Sequence, residues 1–279
     1  MKKKIITIAI VALVVIADAV VLSYPTLSAY INNLHQSRAV TRYVDEVATM
    51  DPAKRQAMIA AADAYNKTLL TKADRFKLSA EDTAQYDRLL NTGSGVMSML
   101  VIDKINVKLP VYHGTDAAVL QVGVGHLPGS SLPVGGKGTH AVISGHRGLP
   151  SATLLTNLDK MTKGDTFVLY TMGETLTYQV DQIKTVLPDN VEALSIDPAQ
   201  DYCTLVTCTP YGINTHRLLV RGHRIPNAPN MDWSNLHPDA SWLDKARMIL
   251  LFISPALAGL LTYTLLRGKK IRRTVFVGW

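Results

Sequence analysis

The residues of this sequence best suited to acyl transfer are a cysteine, a histidine and an arginine, each at the end of a short apolar run. Cys208 closes the run Asp201–Thr207. His146 lies in Ser144-Gly145-His146-Arg147-Gly148, directly after the run Thr139–Ser144, and Arg217 opens the run Arg217–Arg224. A thiolate is a strong nucleophile toward a carbonyl carbon. An imidazole hands a proton to a leaving amine and takes one from an incoming nucleophile. A guanidinium stays charged and can hold an oxyanion or orient the substrate carbonyl. Thr209 to His216 joins the last two runs and contains Pro210, Gly212 and Asn214. If those strands pair antiparallel, this is a long hairpin loop and Cys208 and Arg217 are neighbours. No spacing in the sequence brings His146 to them; that requires the fold. On residue types alone His140, His216 and His223 are rival bases. A strand-end arginine is usually a solvated charge, and a lone cysteine is often a small buried side chain.

The positioning elements read as two regions. Over residues 35–92, Val40, Tyr43, Val44 and Val47, then Met58, Ile59, Ala62 and Tyr65, follow a helical period. Asp51-Pro52 reads as a helix break and restart. Ser79 with Asp82 resembles a capping box opening a helix that reaches Leu90, and Leu70 to Lys77 is a polar connector. After Asn91-Thr92-Gly93-Ser94-Gly95 the pattern changes to short β-branched or alternating runs. These are Met97–Ile102, Val107–Tyr112, Val119–Val122, Thr139–Ser144, Thr166–Thr171, Glu174–Leu187, Asp201–Thr207 and Arg217–Arg224. Such a series suggests a barrel or a sandwich.

The net charge of +7 suggests an anionic partner until it is located. Lys2, Lys3, Lys4, Arg267, Lys269, Lys270, Arg272 and Arg273 are eight of the 29 basic residues, which leaves 21 against 22 acidic ones between them. The body is near neutral, so a nucleic-acid-binding footprint is excluded. Ile5 to Leu22 and Met248 to Leu266 are apolar runs, the first interrupted by Thr7 and Asp18. The second would span ~28 Å as a helix, close to the ~30 Å hydrocarbon core. Cations before the first run and after the second put both ends on the cytoplasmic side and the region between them outside. The expected organisation is a membrane helix over 1–24, a helical region over 25–95 and a β domain over 96–225. A linker over 226–246, a second membrane helix over 247–266 and a basic tail over 267–279 follow. A cleaved signal peptide is the alternative for the first segment. No His, Cys, Asp or Glu spacing suits a metal and no Gly-rich loop suits a nucleotide, so neither metal nor cofactor is expected.

Thr204-Leu205-Val206-Thr207-Cys208 matches the T-L-x-T-C signature of the sortases, cysteine transpeptidases. The longer run from Thr204 to Arg224, with Leu109-Pro-Val-Tyr-His-Gly-Thr115 and Thr139-His-Ala-Val-Ile-Ser-Gly-His-Arg-Gly148, resembles the pilus-assembling class C sortases. The resemblance covers residues 95–225 strongly. It implies a mainly β protein, an eight-stranded sortase-type barrel with an N-terminal helical and lid region, flanked by two transmembrane helices. It also implies His146, Cys208 and Arg217 as the catalytic three, with Thr207 supporting the motif. The implied reaction cleaves an LPxTG-like sorting signal between Thr and Gly through a thioester, then transfers the acyl group to a pilin lysine. Pilin subunits and the membrane are the implied partners, at the surface of a Gram-positive-type bacterium. A sortase that anchors proteins to peptidoglycan is the alternative enzyme, and a non-catalytic pilus-assembly scaffold the alternative of another class.

Class C sortases carry a lid with an Asp-Pro-aromatic motif, and the matching connector here reads Asp74-Arg75-Phe76. The resemblance implies that Asp74 pairs with Arg217 and that Phe76 covers the Cys208 thiol. Without the proline's fixed φ, a looser lid is expected, with Arg75 competing for the Asp74 carboxylate. Cys203 lies five residues before Cys208, so the two point to opposite faces of a regular strand and a disulfide between them is not expected.

Overall fold

The computed structural model describes residues 2–227 and residue 259, with only the backbone over most of 2–22. Helix α1 covers Lys2–Thr49 with Pro25 inside it. The chain divides into two compact units, and the one spanning Asn32–Pro238 contains the β domain. Among the described residues, no helix is long and apolar enough to cross a membrane, so the crossing expected over 1–24 is not supported. The expected segment 247–266 lies outside the described residues except for Gly259, as do the expected tail and most of the expected linker.

Within the larger unit, Asp51 caps α2 (Pro52–Leu69), accepting from Lys54 N at 2.9 Å with proline in the first turn. Ser79 and Asp82 form a complete capping box on α3 (Ala80–Tyr86). That helix stops at Tyr86 rather than at the expected Leu90. Leu90 turns the chain into the barrel at φ +53°, a conformation that no helix continues through. The helical face expected from the 3.6 period is the buried one: Val40, Tyr43, Val47, Ala62 and Tyr65 all join the barrel core. Two buried polar side chains fix the docking. The Tyr43 hydroxyl donates to Met97 O (2.8 Å) and accepts from Met172 N (2.9 Å). Asn66 closes a two-way bond with Leu132, at 3.0 and 2.7 Å.

Eight strands close a barrel: β1 (Val96–Ile102), β2 (Val107–His113), β3 (Val124–His126), β4 (Thr139–Ser144), β5 (Thr166–Thr171), β6 (Glu174–Val186), β7 (Asp201–Thr209) and β8 (His216–Ile225). Their order around the barrel is β1-β2-β3-β4-β7-β8-β6-β5. The β2–β3 and β4–β7 pairs are parallel and all others antiparallel. Seven of the eight expected strands are present. The exception is Val119–Val122, which belongs to helix α4 (Ala117–Val122) and buries none of its residues. The strand follows it instead. Gly125 permits this placement, because a Cβ there would meet Gly114 O at 2.1 Å. Period-2 alternation holds along β7 and β8: Cys203, Leu205, Leu218 and Val220 fill the interior, while Val206 and Leu219 point outward.

Candidate active site

The antiparallel β7–β8 register sets Cys208 directly opposite Arg217, so their side chains share a face. The two ends of the hairpin loop are therefore neighbours. Gly212 (φ +76°) and Asn214 (φ +62°) turn that loop in the left-handed region. Arg217 Nη1 braces it by donating to Asn214 O (3.3 Å) and His216 O (3.2 Å).

His146 arrives through a parallel pairing that no sequence spacing announces. The β4–β7 ladder ends at Ser144↔Val206. Continued by two residues, that register brings His146 alongside Cys208. The continuation is held by hydrogen bonds: Gly145 N donates to Val206 O (3.0 Å), and Thr207 Oγ1 donates to Gly145 O (2.8 Å). Thr207 is buried and reaches across to the backbone just before His146. Val186 on β6 stands opposite Arg217 and extends the row. Beyond it, a cleft of ≈ 360 Å³ opens between β6 and the 188–200 loop, lined by Lys184, Val186, Glu192, Tyr202 and Arg221 among others. Val186 lines it, whereas His146, Cys208 and Arg217 do not.

The rival histidines are placed elsewhere. His140 is buried, with Nδ1 at 2.8 Å from Ser195 O and Nε2 at 2.7 Å from Thr204 Oγ1. Burial lowers its pKa to about 4, so it is a neutral wall residue. His223 pairs with Tyr202, far along the strand from Arg217. His216 sits opposite Thr209, and its Nδ1 lies 2.9 Å from Thr215 Oγ1. The two thiols separate just as clearly. Cys203 is fully buried in the barrel core and burial pushes its pKa up, whereas Cys208 is half-buried; both are free. Among the described residues, no group of three or more His, Cys, Asp or Glu could hold a metal ion.

The connector carrying Asp74-Arg75-Phe76 lies across a second, small apolar cluster on the outer face of the barrel. Phe76 packs against the buried cluster Val142, Leu194 and Leu219, as do Val186 and Val206. Val206 and Leu219 form the residue pair next below the Cys208–Arg217 pair on that face. Asp74 does not pair with Arg217. Its carboxylate is 3.7 Å from Lys77, and both side chains are about 80% exposed. Nor does Arg75 compete for that carboxylate. Its side chain turns inward, donating from Nη1 to Gly129 O (3.1 Å) and from Nη2 to Leu194 O (2.5 Å). The guanidinium stacks on Phe76 at 4.4 Å, and its pKa is lowered by burial. Gly129 makes room: a Cβ there would meet Arg75 O at 2.1 Å. Loss of the proline is therefore offset by a buried arginine that ties two loops to the connector.

Arg147 and Thr209 were not singled out in the sequence. Arg147 Nη1 donates to Thr209 Oγ1 (3.1 Å), and Nη2 pairs with Asp159 (2.5 Å). Their only sequence signal was adjacency to His146 and Cys208.

Residues 100–225 match the sortase domain family. The chain is 31% identical over 150 residues to sortase D of Bacillus subtilis, covering 52% of this chain and 71% of that protein. Sortase C1 from Streptococcus agalactiae superposes with a TM-score of 0.67 at 50% identity, over 68% of this chain and 100% of that one. The sortase C structure from Streptococcus pneumoniae, described as bearing on catalysis and pilin substrate specificity, gives a TM-score of 0.63 at 44% identity, over 69% and 100% of the two chains.

Proposed function

The chain belongs to the sortase family and is of the class C type, and from that premise we propose that it is a pilin-polymerising transpeptidase whose nucleophile is Cys208. The observation that carries this reading is the Cys208–Arg217 pair across β7 and β8, with His146 two residues past the end of the neighbouring β4. The Cys208 thiolate attacks the Thr carbonyl carbon of an LPxTG-like signal, and the Arg217 guanidinium faces the oxyanion that forms. The Thr–Gly C–N bond breaks, and His146 as imidazolium gives its proton to the leaving glycine amine. The thioester then meets a lysine amine of another pilin. His146, now neutral, takes the amine's proton as the isopeptide bond forms and the thiolate leaves.

The connector at Asp74–Phe76 acts as a lid. Supporting this, Phe76 packs one residue pair below Cys208 and Arg75 latches the segment to the 129 and 194 loops. The apolar runs at 5–22 and 248–266, with their cationic flanks, support anchoring at both ends and a catalytic domain outside the cell.

Polymerisation is tested by mixing the enzyme with an LPxTG-bearing pilin subunit. An SDS-resistant ladder, absent with Cys208→Ala, is the expected result. Transfer to a peptidoglycan cross-bridge peptide without a ladder would assign the chain to wall anchoring instead. Assembly persisting with Cys208→Ala would make it a scaffold.

A further inference from the structure

We propose that Arg147 is a positioning residue for the transpeptidation: through Thr209 it holds the His146 loop in register with Cys208. The proposal rests on the sortase reading of the site and adds a residue to it. His146 sits past the end of β4, where no ladder bond fixes it. The loop is tied on both flanks of His146 to residues that bracket Cys208. On one side the Thr207 hydroxyl donates to Gly145 O at 2.8 Å. On the other, Arg147 Nη1 donates to Thr209 Oγ1 at 3.1 Å. Thr207 and Thr209 are the immediate neighbours of Cys208 on β7, so the two bonds span the base and the nucleophile at once.

The clamp is built rather than incidental. Only 9% of the Arg147 side chain is exposed. Asp159 anchors its other Nη at 2.5 Å, and Tyr211 in the β7–β8 loop lies 6.0 Å from the guanidinium carbon. The buried Nε has no acceptor. The guanidinium is thus aimed along its two Nη groups, at β7 and at Asp159, at the expense of its third donor. The loop is tied on its outer side as well, by Leu155 N to His146 O (3.2 Å) and Gly148 N to Thr156 Oγ1 (3.1 Å). Those bonds set the loop's own shape. The Arg147–Thr209 bond is the one that references this side of it to the nucleophile's strand. A planar guanidinium can serve Asp159 and Thr209 together, which an ammonium cannot do with the same geometry.

The test uses the full-length chain and an LPxTG peptide with an amine acceptor. Arg147→Ala should lower kcat by about 10²-fold, as for a reacting group displaced by about 1 Å, with KM within about 2-fold. Arg147→Lys should recover part of that loss. Thr209→Val should also lower kcat, and the double variant should be no worse than the worse single one. A folded Arg147→Ala with unchanged kcat, a pure KM effect, or single losses that multiply in the double variant would each overturn the proposal. Should Arg147→Ala fail to fold, Arg147→Lys and Thr209→Val carry the same comparison. A readout without substrate separates this from the transpeptidase reading: the rate of Cys208 alkylation by iodoacetamide at neutral pH. His146→Ala should change that rate, and Arg147→Ala should change it in the same direction, with Arg147→Lys closer to the parent. An Arg147→Ala rate equal to the parent's would overturn the proposal even if no peptide is turned over.

Discussion

Arg75→Ala should open the lid, and Asp74→Ala should not. Arg75 makes two charge-assisted bonds to backbone carbonyls, at 3.1 Å to Gly129 O and 2.5 Å to Leu194 O, with 8% of the residue exposed. Bonds of that kind are worth about 1.5–3 kcal/mol each. Burying the guanidinium offsets roughly half of their sum. Stacking on Phe76 at 4.4 Å adds back about 0.5–1 kcal/mol. That leaves ~2–4 kcal/mol, and a loss at the lower end, ~2 kcal/mol, would raise the open fraction about 30-fold. Asp74 offers no comparable hold, since its pair with Lys77 is long and exposed. The assay is the rate of Cys208 modification by a bulky thiol reagent, assigned by peptide mass. Cys203 does not interfere, being fully buried. The expected order is Arg75→Ala far above both the parent and Asp74→Ala. An Arg75→Ala rate within about 2-fold of the parent, or an equal acceleration by Asp74→Ala, would refute the latch.

Gly129→Ala approaches the same latch from the other side. Its Cβ would overlap Arg75 O, at 2.1 Å and at φ +84°, so it too should speed Cys208 labelling while leaving the Arg75 side chain intact. Tyr43→Phe leaves Met97 O and Met172 N without their buried partner and should cost about 1–3 kcal/mol in unfolding free energy, read from denaturant midpoints. The fold should also lose stability in mild acid. Burial lowers the pKa of His126 and His140 from 6.5 to about 4, so the unfolded chain binds more protons between those values. Stability is then full above pH ~6.5 and falls toward pH 4, by about 1.4 kcal/mol per pH unit for each histidine at most. His140→Asn should flatten the midpoint-against-pH curve over pH 4–6.5, and an unchanged slope would show that His140 does not titrate with folding.

The parts legible in the sequence were those governed by local physics. Proline after Asp51, the Ser79–Asp82 box and the 3.6 period around Tyr43 each announced an element that the structure contains. The turn residues Gly212 and Asn214 implied a hairpin, and with it the Cys208–Arg217 pair. The odd offset between Cys203 and Cys208 separated a core thiol from a half-buried one. What stayed hidden depends on contacts distant in sequence. His146 is brought toward the Cys208 end of β7 only by a parallel ladder between strands about sixty residues apart, a pairing that leaves no local mark. The Asp74–Arg217 pair, carried over from the family's lid motif, does not form. With arginine in place of proline, the connector is held by Arg75 instead. Val119–Val122 misled because valines on a short, partly exposed helix resemble a strand when only the local pattern is read.

Acyl transfer to Cys208 is read by incubating the full-length chain with an LPxTG peptide, quenching in acid and mapping the adduct by mass spectrometry. The expected product is a hydroxylamine-labile mass equal to the peptide up to its threonine, on the fragment containing Cys208, and none with Cys208→Ala. An acyl adduct on another residue, or peptide cleavage that persists with Cys208→Ala, would contradict transfer to Cys208.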